Sequence, residues 1–413
     1  MKTSYKQKIF NIKSSIFKST EKLKKINDEL FSKIDCDYLR CLNIVRDNRQ
    51  IQIIKKSSSI FNNCKFIVII GTGGSSLGGK MLVSALGNSN KKLFFAENVD
   101  PDTIQELLSQ IDLNHTGFII ISKSGETIET LCIYFYFLNT IKLRNIKIYE
   151  KTLVITERKP STLKKIQEEE NYHFLEHDKN IGGRYSVFSA VGLIPAQIAG
   201  INIKKFCDGG KTVLNQILNA KKPEATAPIK SALVKINLMK KGYNQSVLMT
   251  YSDKLKNFSD WYIQLWSESI GKNKKGSTAI SSRGTVDQHS QLQLFLDGPN
   301  DKFITILGFE KPPRSIKLKC KISKNNIFES LNNKSMGDLF FAEKKATSKS
   351  LIRQKIPLRL IDLSPMNEDL LGKLVMSFFL ETIYSCKLLN VNPFDQPAVE
   401  EGKVLALKFL KNA

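Results

Sequence analysis

The sequence has 413 residues, of which 41% are hydrophobic, enough for a globular protein with a large buried core in roughly two or three domains. The formal net charge is +24, but the excess lysine is diffuse, without an aromatic-interleaved basic stripe, which disfavours nucleic-acid binding and favours attraction of small anionic substrates. No apolar run approaches the roughly 20 residues of a membrane span, and the seven scattered cysteines, without a CxxC pair, indicate a reducing compartment rather than a disulfide framework or a zinc site.

The first predicted element is a peripheral, helical N-terminal segment over residues 1–50. Residues 1–20 hold five lysines and no acidic residue, a weak likeness to a transit peptide, but they lack arginine and the apolar core of a signal peptide. A surface helix that continues past residue 20 fits the pattern better. Its apolar positions, at mixed three- and four-residue spacing, are Ile16, Phe17, Leu23, Ile26, Leu30 and Phe31.

An α/β domain is predicted over residues 51–200. The apolar strand Phe66–Ile70 runs into the glycine-rich turn GTGGSSLG at 71–78 and then into a helix. This unit binds phosphorylated ligands at the carboxyl end of parallel sheets, although many other α/β proteins have such a turn. The continuing alternation predicts a doubly wound parallel sheet. Its further strands are predicted at 93–96, 117–121 and 153–156, and its further helices at 103–111, 127–141 and 162–170.

The most informative loop of this domain is the polar run Ser122-Lys123-Ser124-Gly125, which follows a buried strand. Thr127 then opens a helix with an apolar face. This pattern favours a binding site for a phosphate dianion, because it combines free backbone N–H groups, hydroxyls, a lysine and a helix N-terminus. The alternative is an ordinary capped strand-to-helix loop.

A glycine pair and Arg184 precede the apolar helix that closes the first domain. Gly182 and Gly183 let the backbone approach a ligand closely, and the planar guanidinium of the arginine can bind an anion in a bidentate manner. Residues 201–245 follow as a lysine-rich helical linker that contains two prolines.

A second α/β domain is predicted over residues 246–390, and a C-terminal helical segment over 391–413. The second domain can be interpreted as a diverged copy of the first, although no repeated motif shows a duplication. Its strands are predicted at 246–250, 302–308 and 357–363, its helices at 261–269, 336–353 and 368–389, and the final helix at 393–411.

Three polar segments of the second half can carry chemistry. Glu268 lies near the end of an amphipathic helix, where a solvated surface glutamate is the simpler interpretation. His289 follows a glycine–threonine turn, where a local hydrogen bond is the simpler role. Near the C-terminus, Asp395 can cap a helix, and Glu400 with Lys403 can form a plain surface pair.

Six segments, in the same order along the chain, resemble the glucose-6-phosphate isomerase (phosphoglucose isomerase) family. GGRYSVFSAVG at 182–192 is similar to the family's arginine signature, and FDQPAVEEGK at 394–403 is similar to its C-terminal signature. The resemblance covers most of residues 66–403 and leaves out 201–245. The other four segments are GTGGSSLGG, SKSGETIET, ESIGK and GTVDQHSQLQL.

The resemblance implies two sugar-isomerase (SIS) domains, each an αβα sandwich with a parallel sheet, flanked by peripheral N- and C-terminal helices. It also implies a homodimer with its sites at the subunit interface. Glu268 would move a proton between C2 and C1, and Arg184 would lie beside the enediolate. His289, supplied across the interface, and Lys403 would open the sugar ring. The residues implied in substrate binding are Gly74, Ser75, Ser122, Lys123, Ser124, Thr127, Glu129 and Gln396.

The implied activity is the interconversion of glucose 6-phosphate and fructose 6-phosphate through a cis-enediol, in the cytoplasm. This chemistry needs a carboxylate over a carbon acid, a cation near the enediolate oxygen, and a donor–acceptor pair for ring opening. One glutamate can act as base and then as acid, so we expect no metal and no redox cofactor. We also expect neither a nucleic-acid partner nor a membrane partner.

Two departures from the family pattern bear on the choice of sugar. Ile270 replaces the asparagine of many members, and Pro397-Ala398 replace an aromatic–glycine pair. Mannose 6-phosphate is therefore an alternative second substrate, as in a bifunctional glucose/mannose isomerase. An SIS regulator that only binds sugar phosphates would need the 122–127 loop but not the catalytic candidates. A basic scaffold or nucleic-acid-binding protein is a third interpretation, which only the net charge supports, and its binding to nucleic acid would depend on the salt concentration.

Overall fold

The computed structural model describes residues 4–17, 21–143, 146–319 and 326–412. Parts of the predicted N-terminal helical segment, at 1–3 and 18–20, therefore lie outside the described residues. The strands are β1 (Tyr5–Phe10), β2 (Phe66–Ile70), β3 (Lys92–Ala96), β4 (Thr116–Ile121), β5 (Thr152–Thr156), β6 (His173–Glu176), β7 (Gln245–Tyr251), β8 (Thr278–Arg283), β9 (Lys302–Phe309) and β10 (Leu358–Leu363). The helices are α1 (Glu21–Ser32), α2 (Arg40–Asn43), α3 (Asn48–Ser58), α4 (Leu77–Leu86), α5 (Pro101–Ser109), α6 (Ile128–Leu143), α7 (Thr162–Glu169), α8 (Ala190–Ile198), α9 (Ile203–Leu218), α10 (Ala227–Met239), α11 (Lys256–Ile270), α12 (Leu292–Asp297), α13 (Asn326–Leu331), α14 (Met336–Arg353), α15 (Glu368–Leu389) and α16 (Glu400–Lys411).

The first sheet is fully parallel, in the order β3-β2-β4-β5-β6. Its central strands are apolar and buried on both faces, as strands covered by helices on two sides must be. The strand order reverses between β2 and β4, and ligands of open α/β sheets bind at such a switch point. The glycine-rich turn and the polar loop after β4 therefore emerge side by side.

The second sheet has the order β1-β10-β9-β7-β8. Strands β7 to β10 are parallel, and β1 joins the edge antiparallel to β10. The order β8-β7-β9-β10 matches β3-β2-β4-β5 of the first sheet. This agreement supports the interpretation of the second half as a diverged copy, and the predicted α/β class with parallel sheets is confirmed.

One apolar core joins the two halves, with α15 at its centre. This helix is buried along nearly its whole length, as expected for a helix that is apolar on all sides. The core contains Ile119 of the first sheet, Ile361 of the second and Phe379 of α15. The two helices of the predicted 201–245 linker, α9 and α10, both pack against α15. The boundaries of the predicted domains stay predictions.

The prediction that residues 1–50 are wholly helical is wrong for Tyr5–Phe10, which form β1. The side chains alternate, with Tyr5, Gln7 and Ile9 half-buried and the two intervening lysines exposed, and this period of two is that of a strand. The prediction of a peripheral segment is also wrong in part, because Leu42 is buried in the core.

The predicted final helix over 393–411 begins only at Glu400. Pro393 and Pro397 have no N–H group to donate to a helix, and residues 392–396 form an irregular segment that we call the C-terminal strap. The helix that follows, α16, has no buried residue. Its exposed apolar side chains are Val404, Leu405, Leu407, Phe409 and Leu410.

None of the helices within the described ranges combines the length and the apolarity needed to cross a bilayer.

Candidate active site

Two glycine-rich segments meet at the carboxyl end of the first sheet. A Cβ added to Gly74 would lie 2.3 Å from the carbonyl carbon of Gly183, so only glycine permits this approach of the two backbones. The Ser186 hydroxyl also donates to the Gly74 carbonyl at 3.1 Å. The contact fixes the loop that carries half-buried Ser75 next to the segment that carries Arg184.

The loop after β4 combines hydroxyl groups with a helix N-terminus, as predicted. The Ser122 hydroxyl lies 2.9 Å from that of Thr127 and accepts the N–H of Gly125 at 3.1 Å. Gly125 has a φ of 73°, and a Cβ at this position would lie 2.1 Å from Ser161 Oγ. Because α6 begins at Ile128, the N–H groups of its first turn, for which a helix offers no internal acceptor, directly follow the loop. The exposed Ser124 hydroxyl accepts the N–H of Glu126 at 3.1 Å, which fixes the loop further.

Lys123 links this loop to the segment that leads to Arg184. Its ammonium group donates to the Lys179 carbonyl at 2.7 Å and lies 3.9 Å from the Glu157 carboxylate. Burial lowers the pKa of Lys123, and the negative charge of Glu157 opposes this shift. Burial also lowers the pKa of nearby His177, to about 4, so that its ring is neutral near pH 7.

The Arg184 side chain is the centre of the candidate site. It is 1% exposed, and each of its five N–H groups has an acceptor. These bonds hold the end of α11 and the C-terminal strap together. The acceptors are Ser269 Oγ at 2.8 Å, Glu268 Oε2 at 3.2 Å, Gln396 Oε1, the Pro393 carbonyl at 2.6 Å and the Asp395 carbonyl at 2.9 Å.

The Glu268 carboxylate is held on both oxygens, so it is not a freely solvated surface group. Oε2 accepts from Arg184, and Oε1 accepts from the Gln264 amide at 2.9 Å. Gln264 lies one helical turn before Glu268, and its own carbonyl oxygen is buried without a partner among the described residues. Sequence reasoning missed Gln264, although its i,i+4 spacing from Glu268 was an available signal.

One chain does not bring all the predicted catalytic residues together. Within the described parts of the chain, no hydrogen bond or ion pair links His289 or Lys403 to Glu268. His289 is exposed in the short turn after β8. Lys403 lies on α16, and its ammonium group donates to Glu400 at 2.7 Å, the surface pair that the sequence allowed. Glu129, in the first turn of α6, is exposed.

The polar groups of the site suit an oxygen-rich anion more than a metal ion. Within the described ranges, no three His, Cys, Asp or Glu side chains are grouped as metal ligands would be. The groups present are hydroxyls, amides, an ammonium and a guanidinium, which bind phosphate and sugar oxygens. The expectation that no cofactor is needed stays a prediction.

Comparison with known proteins identifies the family. The family model for phosphoglucose isomerase matches residues 49–413. A glucose-6-phosphate isomerase of Methanocaldococcus jannaschii is 34% identical over 355 residues, which are 85% of this chain and 85% of the relative. A glucose-6-phosphate isomerase of Campylobacter jejuni is 32% identical over 419 residues, 98% of this chain and 99% of the relative.

A solved structure confirms the fold. The crystal structure of a glucose-6-phosphate isomerase from Chlamydia trachomatis has a TM-score of 0.82 to this chain, with 98% of this chain and 88% of the other covered. Its sequence identity is 21%, so this likeness concerns the fold alone. The family match and the two relatives together confirm the resemblance, and the chain belongs to the phosphoglucose isomerase family.

Proposed function

We propose that Glu268 and Arg184 carry out an aldose–ketose isomerisation through a cis-enediol(ate) intermediate. The activity of the chain is the interconversion of glucose 6-phosphate and fructose 6-phosphate, a step of glycolysis and gluconeogenesis. The observation that carries the residue assignment is that Arg184 donates to Glu268 and to Gln396 at once. The guanidinium cation is therefore in direct contact with both a carboxylate base and a side-chain amide.

Glu268 would act as the base and then as the acid. It takes the proton from C2 of the aldose, which leaves an enediolate. The proton of the O2 hydroxyl passes to O1, and Glu268 returns its own proton to C1, so that C2 becomes the carbonyl carbon of the ketose. The Arg184 guanidinium, 3.2 Å from the carboxylate, stabilises the negative oxygen that develops next to the reacting carbons. A positioned acid–base group of this kind contributes about 10²- to 10⁴-fold to the rate.

The loop after β4 would hold the substrate phosphate. Ser122, Lys123, Ser124 and Thr127 supply hydroxyls and a positive charge at the N-terminal end of α6, and Glu129 lies in the first turn of that helix. Gly74 and Ser75 would contact the sugar from the neighbouring loop. Binding energy from the remote phosphate can then fix the sugar for proton transfer.

We expect Lys123→Ala to raise the KM for fructose 6-phosphate by about 10- to 100-fold, with a smaller change in kcat. A hydrogen bond to a charged group is worth about 1.5–3 kcal/mol, and the phosphate does not change during the reaction. Steady-state kinetics with both sugar phosphates measures the effect.

Lys159→Ala is the matched control for this substitution. Lys159 pairs with the same Glu157 at 2.7 Å, but its side chain is 57% exposed. We expect kinetics close to those of the unsubstituted protein. An unchanged KM in Lys123→Ala would contradict the placement of the phosphate.

We further propose a homodimer in which His289 completes the site of the opposite subunit. The exposed position of His289, flanked by exposed Val286 and Leu294, supports this assignment. The apolar side of α16 is a second exposed apolar surface, of the kind that marks protein contacts. A twofold dimer buries the same surfaces on both subunits and creates two equal shared sites. Lys403, on α16, would join His289 in ring opening.

Mixing the inactive variants Glu268→Gln and His289→Ala should restore activity. After random exchange of equal amounts, about half of the dimers are mixed, and one of their two sites has both residues intact. We therefore expect about a quarter of the unsubstituted activity. The measurement is a coupled assay after co-refolding, with subunit exchange shown by two different affinity tags.

The control mixes Glu268→Gln with Arg184→Lys, because those two residues belong to the same chain's half of the site. No mixed dimer then has an intact site, and activity should not exceed that of the separate variants. Equal recovery in both mixtures, or none in either despite proven exchange, would show that His289 does not act across subunits.

The activity is tested by converting fructose 6-phosphate to glucose 6-phosphate with purified protein and no added metal. Retained sugar-phosphate binding without turnover would instead identify an SIS protein that only binds its ligand.

We also propose a cytoplasmic location, supported by the free cysteines among the described residues. A small sugar phosphate, rather than nucleic acid or a membrane, is the proposed partner of the positively charged chain.

A further inference from the structure

Lys272, the last residue of the segment ESIGK, has no role so far. It lies two residues after the end of α11, and its side chain is 10% exposed. A buried ammonium group needs an acceptor for each of its three protons. Lys272 has three, which are the Ser269 carbonyl at 2.9 Å, the Asn392 carbonyl and Asp395 Oδ1 at 3.0 Å.

Helix capping explains only one of these contacts. A cation beside the last carbonyl groups of α11 is favourable, and the bond to Ser269 serves that purpose. The bonds to Asn392 and Asp395 reach a different part of the chain, the C-terminal strap. Burial raises the pKa of Asp395, but the hydrogen bond and charge of Lys272 outweigh it and hold this pKa below its usual value. Asp395 therefore stays an anionic partner of Lys272.

Arg184 binds the same strap. It donates to the carbonyl groups of Pro393 and Asp395 and to the Gln396 side chain. Lys272 and Arg184 thus hold the strap through separate groups, which in Asp395 are its carboxylate and its carbonyl. Both also bind Ser269 on α11. Gln396 directly follows Asp395, so a shift of Asp395 moves Gln396 relative to Arg184 and Glu268.

We propose that Lys272 is a positioning residue for the isomerisation, which anchors the C-terminal strap so that Gln396 stays against Arg184. The inference rests on the proposed function of the Glu268–Arg184 site. Lys272 acts through the strap and makes no contact with the phosphate-binding loop among the hydrogen bonds and ion pairs of the described residues.

The first test is Lys272→Met, which keeps most of the length of the unbranched side chain but removes the charged ammonium group. We expect kcat to fall about 10- to 100-fold, because two bonds of a charged group to the strap are lost. The inhibition constant of inorganic phosphate, which reports the 122–127 loop, should change less than about twofold. Lys275→Met is the control, because Lys275 in the same turn binds the Leu389 carbonyl of α15 at 3.1 Å instead.

A double-mutant cycle with Gln396→Ala separates positioning from general loosening. Gln396→Ala alone should lower kcat, and Lys272→Met should then lower it less than about twofold further. If the two effects multiply, if Gln396→Ala leaves kcat unchanged, or if phosphate inhibition weakens with Lys272→Met, the proposal is wrong.

Asp395→Asn provides a second variant in case Lys272→Met does not fold. It keeps the shape of the side chain and removes only the negative charge, so we expect kcat to fall about two- to fivefold. When Gln396→Ala is already present, Asp395→Asn should not lower kcat further. No drop in folded Asp395→Asn would count against the ion pair as the anchor. Failure of the proposed function itself is recognised separately, because the unsubstituted protein would then show no isomerase turnover.

Discussion

Glu268→Gln is expected to lower kcat at least about 10³-fold while fructose 6-phosphate still binds with a Kd within about threefold of the unsubstituted protein. The amide keeps the size of the side chain but cannot take a proton from carbon. The phosphate-binding loop is a separate element and remains intact. Turnover is measured in the coupled assay, and binding is measured by calorimetry.

Solvent exchange gives a direct view of the proton transfer. In deuterium oxide, the unsubstituted protein should introduce deuterium at C1 of fructose 6-phosphate, and the variant should not. Glu169→Gln is the matched control, because Glu169 is 62% exposed on α7 and forms a surface ion pair with Lys165 at 3.7 Å. Substantial turnover with continued exchange in Glu268→Gln would assign the base to another residue.

Arg184→Lys is expected to lower kcat/KM by about 100-fold or more, although the charge is retained. The guanidinium has five N–H groups with five acceptors, and an ammonium group has three protons on one atom. At least two of the five acceptors, all of them buried or partly buried, lose their partner. Since an unsatisfied buried group costs about 1–3 kcal/mol, the free energy of unfolding should also fall by about 2–4 kcal/mol.

The control for this substitution is Arg158→Lys. Arg158 pairs with Glu176 at 3.1 Å, but its side chain is 72% exposed, and surface pairs contribute little. Kinetics and urea denaturation should both match the unsubstituted protein. If Arg184→Lys kept full activity, the bonds to the strap would be irrelevant to the reaction.

Four of the five strands of the first sheet were predictable because they are short, largely apolar runs that end at glycine or polar loops, such as Phe66–Ile70. The edge strand His173–Glu176 was not predicted, because it holds only two apolar residues between polar ends. Two strands of the second sheet carry weaker signals. Thr278–Arg283 lies at an edge and is rich in hydroxyl side chains. Tyr5–Phe10 also lies at an edge, and its lysines resemble those of a surface helix. Edge strands need fewer apolar residues, so the pattern is less informative there.

The residues of the candidate site were accessible from motifs, but their arrangement was not. The order of the segments pointed to Arg184, Glu268 and Gln396. Their mutual bonds join positions 84 and 212 residues apart, and local patterns contain no information on such contacts. The contact of Lys272 with the strap, 120 residues away along the chain, was hidden for the same reason.

The antiparallel pairing of β1 with β10 has a consequence for how the chain folds. Tyr5 pairs with Leu363, so β1 can pair with β10 only after the long stretch of chain between them has been synthesised. Contacts of such sequence separation form late, because a long loop must close first. The second sheet therefore reaches its final width after the first could already have folded. Until then the outer edge of β10 stays open to pairing with other chains.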